Sequence, residues 1–348
     1  MSRVPSLPSL PSLARPHVLD MFLSCPEREV RLPSNCAFTG FECCKKRTNR
    51  CVLSVCPVEK QQQAPHYVSR EDLALVHRNP DHLDRLLTDA KFIYDVFELK
   101  SPDAEAASTV VQNIVIPLRY SVQNLICATQ QAFLTKRIVL CPGGGQHHAG
   151  PSKARGAGLF CDVPLAWLKL RQTVPGGQAL KALYIDVDVH QANGVAEARE
   201  ELDMWKHFFI LDACNQQIWP FATDPSYASD ACVEPVNIQM FFDKHIGNKE
   251  YLKKLEEALN RATTELPEVD FVFYVSYLDA FDTDKLGHVK VTAPAIYDRD
   301  RMVVEWARNR KNPIPMVIMP GPGYTEESCR VTRESMARLN EEFNIWDD

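Results

Sequence analysis

A chain of 348 residues, 45% of them hydrophobic, is long and apolar enough to bury a large core, in one α/β domain rather than two. Its net charge of −6 excludes a broadly basic nucleic-acid-binding surface but suits basic polypeptide tails. No apolar run approaches the ~18 residues of a membrane span, and the 12 cysteines read as free thiols of a reducing compartment, with no disulfide framework needed at this size.

Residues 1–16 repeat Pro-Ser-Leu at Pro5-Ser6-Leu7, Pro8-Ser9-Leu10 and Pro11-Ser12-Leu13, and read as a disordered low-complexity tail. Arg3, Arg15 and the lack of an acid before Asp20 give a weaker likeness to an organelle-transit peptide. Residues 17–65 form a divergent, Cys-rich part with six cysteines between 25 and 56. That spacing has no Cys-x-x-Cys pair, which argues against a zinc site. The glutamine-bearing run from Glu59 to Pro65 reads as a loop.

Residues 66–348 form the main domain. After residue 137, apolar strands alternate with helical stretches. That order predicts an open, mostly parallel sheet with helices on both faces. The strand Val139-Leu140-Cys141 runs through Gly143-Gly144-Gly145 into Gln146-His147-His148. On such a loop two adjacent histidines can converge, and histidine is the natural general base near neutral pH. A helix is expected over 163–172.

The run 182–190, Ala-Leu-Tyr-Ile-Asp-Val-Asp-Val-His, reads as one buried strand. Alternation then sends Asp186, Asp188 and His190 to one face. Burying two carboxylates together is costly unless a cation compensates, and Asp with His suits a divalent zinc-like ion. Further helices are expected over 250–264, 296–309 and 326–342. Between them, the strand 271–276 leads to Asp279, Asp282 and Asp284, and the strand 315–319 leads to Gly321-Pro322-Gly323-Tyr324. Each polar cluster follows a hydrophobic strand, where ligands bind in open α/β sheets.

These pieces together resemble the histone deacetylase superfamily, most closely its class IV members. The matching segments occur in the family's order: GGGQHHAG at 143–150, YIDVDVHQANG at 184–194, LDACNQQIWP at 211–220, SYLDAFDTDKLG at 276–287 and GPGY at 321–324. The resemblance covers roughly 66–340, including an early helix segment from Ser69 to Leu83. Asn193, in place of the class I aspartate, the segment Asn215 to Pro220 and Ile116-Pro117-Leu118-Arg119 favour class IV.

The resemblance implies the arginase/deacetylase fold and a zinc-dependent hydrolase that removes acetyl or longer acyl groups from lysine side chains. It implies one catalytic zinc held by Asp188, His190 and Asp279. His148 would be the general base, oriented by Asn193. His147 would be held by Asp186, and Tyr324 would donate to the oxyanion. A potassium ion would use Asp186, Asp188, Asp212 and carbonyls of His190 and Ala213. Gly158, Leu159, Tyr277 and Leu286 would line the substrate pocket, with Leu159 replacing a tunnel-wall phenylalanine.

Other departures are Tyr277 where the family carries glycine, an expected aspartate falling near Pro164, and a family His-Pro motif replaced around residues 35–38. Class IV relatives favour long fatty-acyl groups, so these changes bear on acyl preference. Implied partners are acyl-lysine proteins or peptides such as histone tails, together with corepressor-type proteins, in the nucleus or cytoplasm, with no direct nucleic-acid binding. Two other readings remain open: an amidohydrolase acting on acetylpolyamines or small amides, and a catalytically impaired binding protein that keeps the scaffold.

Overall fold

The computed structural model describes residues 21–22, 61–62, 64–99, 101–222, 233–321 and 323–345. The tail 1–16, the six cysteines of 25–56 and the segment 35–38 lie outside these residues. Met21–Phe22 and Gln61–Gln62 pair as a short parallel ladder.

Among the described residues four short helices come first: α1 (Arg70–Leu73), α2 (Pro80–Thr88), α3 (Ala90–Val96) and α4 (Ala104–Val110). Ser69, Asn79, Asp89 and Asp103 precede them, and each side chain accepts a hydrogen bond from an N-terminal N–H of its helix. A π-helical turn, Val111–Val115, then leads into α5 (Ile116–Thr135). The sequence pattern did not announce α5, because the helix is buried around most of its circumference and has little amphipathic contrast.

The main sheet has six strands: β1 (Ile138–Leu140), β2 (Ala182–Asp186), β3 (Phe208–Asn215), β4 (Ile238–Phe242), β5 (Phe271–Ser276) and β6 (Met316–Pro320). Their order is β1-β6-β5-β2-β3-β4, and every pairing is parallel. The remaining helices are α6 (Asp162–Thr173), α7 (Asn193–Glu201), α8 (Asn248–Glu265), α9 (Ala293–Arg308) and α10 (Glu326–Phe343).

Strand alternation divides the core in two. Ala182, Tyr184, Phe271 and Phe273 face α5, α6 and α7, while Leu183, Ile185, Val272 and Tyr274 face α8, α9 and α10. Each fully buried aliphatic or aromatic side chain contributes about 1.5–3 kcal/mol. Burial on both faces makes the central strands a rigid platform for whatever follows them. The fold is therefore α/β with one all-parallel sheet, as the alternation of elements predicts.

A buried network ties α9 to β5. Arg299 pairs with Asp300 at 2.8 Å, and both side chains are fully buried. Arg299 also donates to the Tyr277 carbonyl at 2.7 Å, and Asp300 accepts from the hydroxyls of Tyr274, Ser276 and Ser335. This fixes the backbone at the point where β5 ends.

The run 182–190 is not one strand. The ladder stops at Asp186, and local hydrogen bonds curl the chain beyond it. Asp186 accepts from the Asp188 N–H at 3.0 Å, and Asp188 accepts from the His190 N–H at 2.7 Å. Aspartate side chains that bond the backbone two residues on compete with the sheet ladder. Asp188 and His190 thus sit on a loop, not on a strand face shared with Asp186.

Candidate active site

From β2 the chain proceeds outward to β3 and β4, then returns to β5 on the other side of β2. β2 and β5 therefore flank the point where the winding reverses. Loops leaving the carboxyl ends of neighbouring strands diverge there and leave a crevice. The loop after β2 carries Asp188 and His190, and the loop after β5 carries Asp279. His190 Nδ1 lies 3.0 Å from Asp188 Oδ1 and 2.8 Å from Asp279 Oδ2. One donor atom from each of the three residues falls within 4.8 Å of the others.

The three groups of this trio lie close together and interact strongly. Asp188 and Asp279 are both buried. Burial and the neighbouring Asp279 charge push the Asp188 carboxyl up to about 7. Burial opposes charge on His190, but hydrogen bonds and charges from both aspartates outweigh it and hold the imidazole up to about 10. Two carboxylates and an imidazole are a ligand set that suits zinc and leaves room for further ligands.

The loop after β1 brings the histidine pair beside them. The two rings lie 3.9 Å apart, centroid to centroid. The start of α7 holds this loop: the N–H groups of Gly194 and Val195 donate to the His147 carbonyl at 2.9 and 3.2 Å. Glycine is required at 194, where a Cβ would lie 2.5 Å from the His148 carbonyl carbon. His147 Nδ1 meets Asp186 at 2.9 Å, and Tyr184 donates to the same oxygen. Burial disfavours the His147 cation, but Asp186 and Asp188 overcome it and raise its pKa to about 9.

His148 differs. Its Nδ1 donates to Asn193 Oδ1 at 2.9 Å, which leaves Nε2 free to accept. Burial, then the neighbouring His147 and His190 charges, depress its pKa well below the ordinary histidine range. One member of the pair is therefore held as a cation and the other as a neutral base. Tyr324 follows β6 and lines the same cavity as Asp188, His190 and Tyr277. Burial and the charges of Asp188 and Asp279 push its hydroxyl well above the ordinary range, so it stays a donor.

The cavity measures about 120 Å³. Gly158, Tyr277 and the exposed Leu286 line it. Leu159 does not. It is fully buried in the core, and its N–H donates to Gln146 Oε1 at 2.9 Å, so the wall at this point is Gly158 alone. The aspartate sought near Pro164 has a counterpart in buried Asp162, which accepts from the N–H groups of Gly145 and Gln146. Asp186 and Asp212 pair in register on β2 and β3, and burial with the Asp186 charge raises the Asp212 carboxyl well above its usual range. Ala213 follows on β3.

Two contributors, Trp219 and Glu98, escaped the sequence reading, as did the role of a third, Asp284. Trp219 forms a wall, its ring 4.6 Å from that of His148. The exposed Glu98 lies at the mouth beside Phe97. Asp284 accepts from the N–H groups of Tyr324, Leu286 and Gly287, and so positions two sides of the cavity. Only Trp219 carried a signal, as an aromatic residue in a polar loop after β3.

The family model for the histone deacetylase domain matches residues 42–339. The chain belongs to the histone deacetylase family. It is 30% identical to histone deacetylase 2 of Arabidopsis thaliana over 289 residues, 81% of this chain and 68% of that one. It is 25% identical to histone deacetylase 6 of the same plant over 53% of this chain and 36% of that one. A histone deacetylase homologue from Aquifex aeolicus superposes with a TM-score of 0.67 at 18% identity, over 93% of this chain and 83% of its own. A homologue complexed with SAHA gives the same TM-score, identity and coverage. The family places the chemistry of this histone deacetylase relative in the deacetylase-type hydrolase class.

Proposed function

We propose that the protein is a zinc-dependent deacylase of lysine side chains, grouped with class IV by Asn193. The observation that carries this reading is the convergence of Asp188, His190 and Asp279 beside a charged and a neutral histidine, at the end of a narrow cavity. A lysine carries its acyl group on a slim apolar arm, and Trp219, Phe97 and Gly158 offer such an arm a lining of aromatic rings and bare backbone. The SAHA-bound homologue supports an acyl-lysine-like ligand.

Zinc bound by the three residues would supply an activated water and polarise the amide carbonyl. The protein's own groups do the rest. His148 accepts the water proton at Nε2 while Asn193 holds its Nδ1–H, and the same nitrogen later returns the proton to the leaving amine. His147, fixed by Asp186, offers positive charge beside it. Tyr324 donates its hydroxyl to the carbonyl oxygen as negative charge builds there. The buried pair Asp186 and Asp212 supports a potassium ion that would offset their charge, with Asp188 and the carbonyls of His190 and Ala213 completing its ligands.

Histone tails and other basic polypeptides are the substrates this reading favours, given the net charge of −6 and Glu98 at the mouth. Free thiols at Cys127, Cys141, Cys161 and Cys214 support a nuclear or cytoplasmic setting. Among the described residues no helix is long and apolar enough to cross a membrane.

The test is metal content and turnover of purified protein on acetyl-lysine peptides and an acetylpolyamine. Asp279→Asn should lose zinc and activity together. Full zinc occupancy after replacing Asp188, His190 and Asp279 at once would refute the site. A zinc-loaded protein that turns over neither substrate would favour the binding-protein reading.

A further inference from the structure

Tyr277 stands where the resemblance leads one to expect glycine, and its surroundings say what it does. Its side chain is buried and fixed at both ends. The hydroxyl donates to the carbonyls of Gly144 at 2.9 Å and Gly145 at 3.0 Å, while the backbone carbonyl accepts from Arg299. The ring centroid is 5.9 Å from that of His147, and the ring lines the cavity with Asp188 and Tyr324. It therefore forms a wall close to the three converging ligand residues.

The space the ring fills is bounded by glycines. A Cβ built at Gly321 would lie 1.8 Å from a Tyr277 ring carbon, and one at Gly145 would lie 3.4 Å from the hydroxyl. Bare backbone at Gly321 makes the room that the ring fills, beside the reacting centre. The tyrosine occupies this recess. The remaining cavity, about 120 Å³, lies below the ~300–1,000 Å³ of pockets that enclose drug-sized ligands. A longer acyl chain would have to enter this recess, and could do so only by driving the ring off two buried carbonyls that then lose their donor.

We propose that Tyr277 sets acyl length, closing the recess so that the site takes acyl-lysines with acetyl-sized groups and rejects medium and long fatty-acyl chains. This deepens the lysine-deacylase reading and rests on it. It also opposes the long-chain preference that resemblance to class IV implies.

The experiment is a series of lysine peptides, identical but for acetyl, octanoyl and myristoyl groups, measured with the zinc-loaded protein and three variants. The parent should show kcat/KM for octanoyl and myristoyl about 100-fold below acetyl. Tyr277→Gly, or Tyr277→Leu if the glycine variant does not fold, should narrow that gap to about tenfold or less. Tyr277→Phe keeps the ring in the recess but frees it from both carbonyls, and should give a gap between those of the parent and Tyr277→Gly.

Calorimetric binding of the same peptides to His148→Ala protein reads the preference without turnover. There the acetyl peptide should bind and the myristoyl peptide should bind more weakly. Turnover by the parent, or binding by His148→Ala protein, that is equal or better for myristoyl overturns the acyl-length proposal and leaves the deacylase reading intact. A protein that binds acyl-lysine peptides in the expected order but turns over none overturns the deacylase reading alone. Failure to bind any of the peptides overturns both.

Discussion

Tyr324 and His148 show how the site divides its labour. A hydroxyl aimed at a carbonyl oxygen stabilises the transition state more than the substrate, because the negative charge it meets appears only there. Tyr324 is suited to this, since nearby Asp188 and Asp279 keep its proton in place. Tyr324→Phe should retain zinc and the fold but lose about 3–4 kcal/mol of transition-state stabilisation, roughly a hundred- to thousandfold in kcat. A measured loss of about threefold or less would rule out an oxyanion donor. His148 acts at a different step. With Nδ1 committed to Asn193 and its cation disfavoured by burial, Nε2 remains free to take a proton. His148→Ala should lower kcat by about 10²–10⁴-fold and change peptide affinity little. Stopped-flow turnover set beside calorimetric binding separates the two effects, and an unchanged rate constant removes the base role.

At the level of elements, β5 and the helix behind it explain why Asp279 can stay in place with a tyrosine two residues earlier. Arg299 reaches from α9 to the Tyr277 carbonyl and the Ser276 hydroxyl, and Asp300 completes the pair from the same helix. Arg299→Leu strands a buried carboxylate and leaves a carbonyl without its donor. Removing one partner of such a pair costs about 3–5 kcal/mol. Urea unfolding should show that loss, and a change below about 1 kcal/mol would mean the network is incidental. This is also the scale at which legibility in the sequence varied. Strands β1, β2, β5 and β6 were readable because each is an apolar run that ends at a polar cluster, and the ligand residues follow those ends. The path from Asp186 to His190 was misread because side-chain-to-backbone bonds, invisible in a hydrophobicity pattern, end the strand early. Leu159 was expected at the wall only by resemblance, from its place after Gly158, and a position in a motif does not say whether the side chain turns to the cavity or to the core behind it. Asp284 was read only as part of the polar cluster after β5, and its positioning role was not legible because one of its partners is the N–H of Tyr324, 40 residues on.

For the molecule as a whole, His77 couples the early helices to the loop that carries the histidine pair. It follows α1 and is buried between two distant segments. Its Nδ1–H donates to the Pro151 carbonyl at 2.9 Å, and its Nε2 accepts from the Cys161 N–H at 3.2 Å. The second contact requires the neutral ring, because a protonated Nε2 cannot accept. Burial lowers its pKa to about 4, despite the Pro151 bond that favours the cation. In the unfolded chain the same ring titrates near the ordinary ~6.5. Between those values the unfolded state holds the extra proton, so stability is complete above about pH 6.5 and declines as pH falls toward 4. The difference of about 2.5 units corresponds to roughly 3 kcal/mol. The metal ligands also respond to acid, so the parent curve alone does not isolate this group. His77→Gln does, because a glutamine can donate and accept like the neutral ring but takes up no proton. Chemical unfolding of parent and variant at pH 7, 6, 5 and 4.5 should show curves that separate as pH falls, with the variant losing less stability per unit. Parallel curves would mean that His77 is protonated in the fold, and that these two contacts do not hold the early helices to the site.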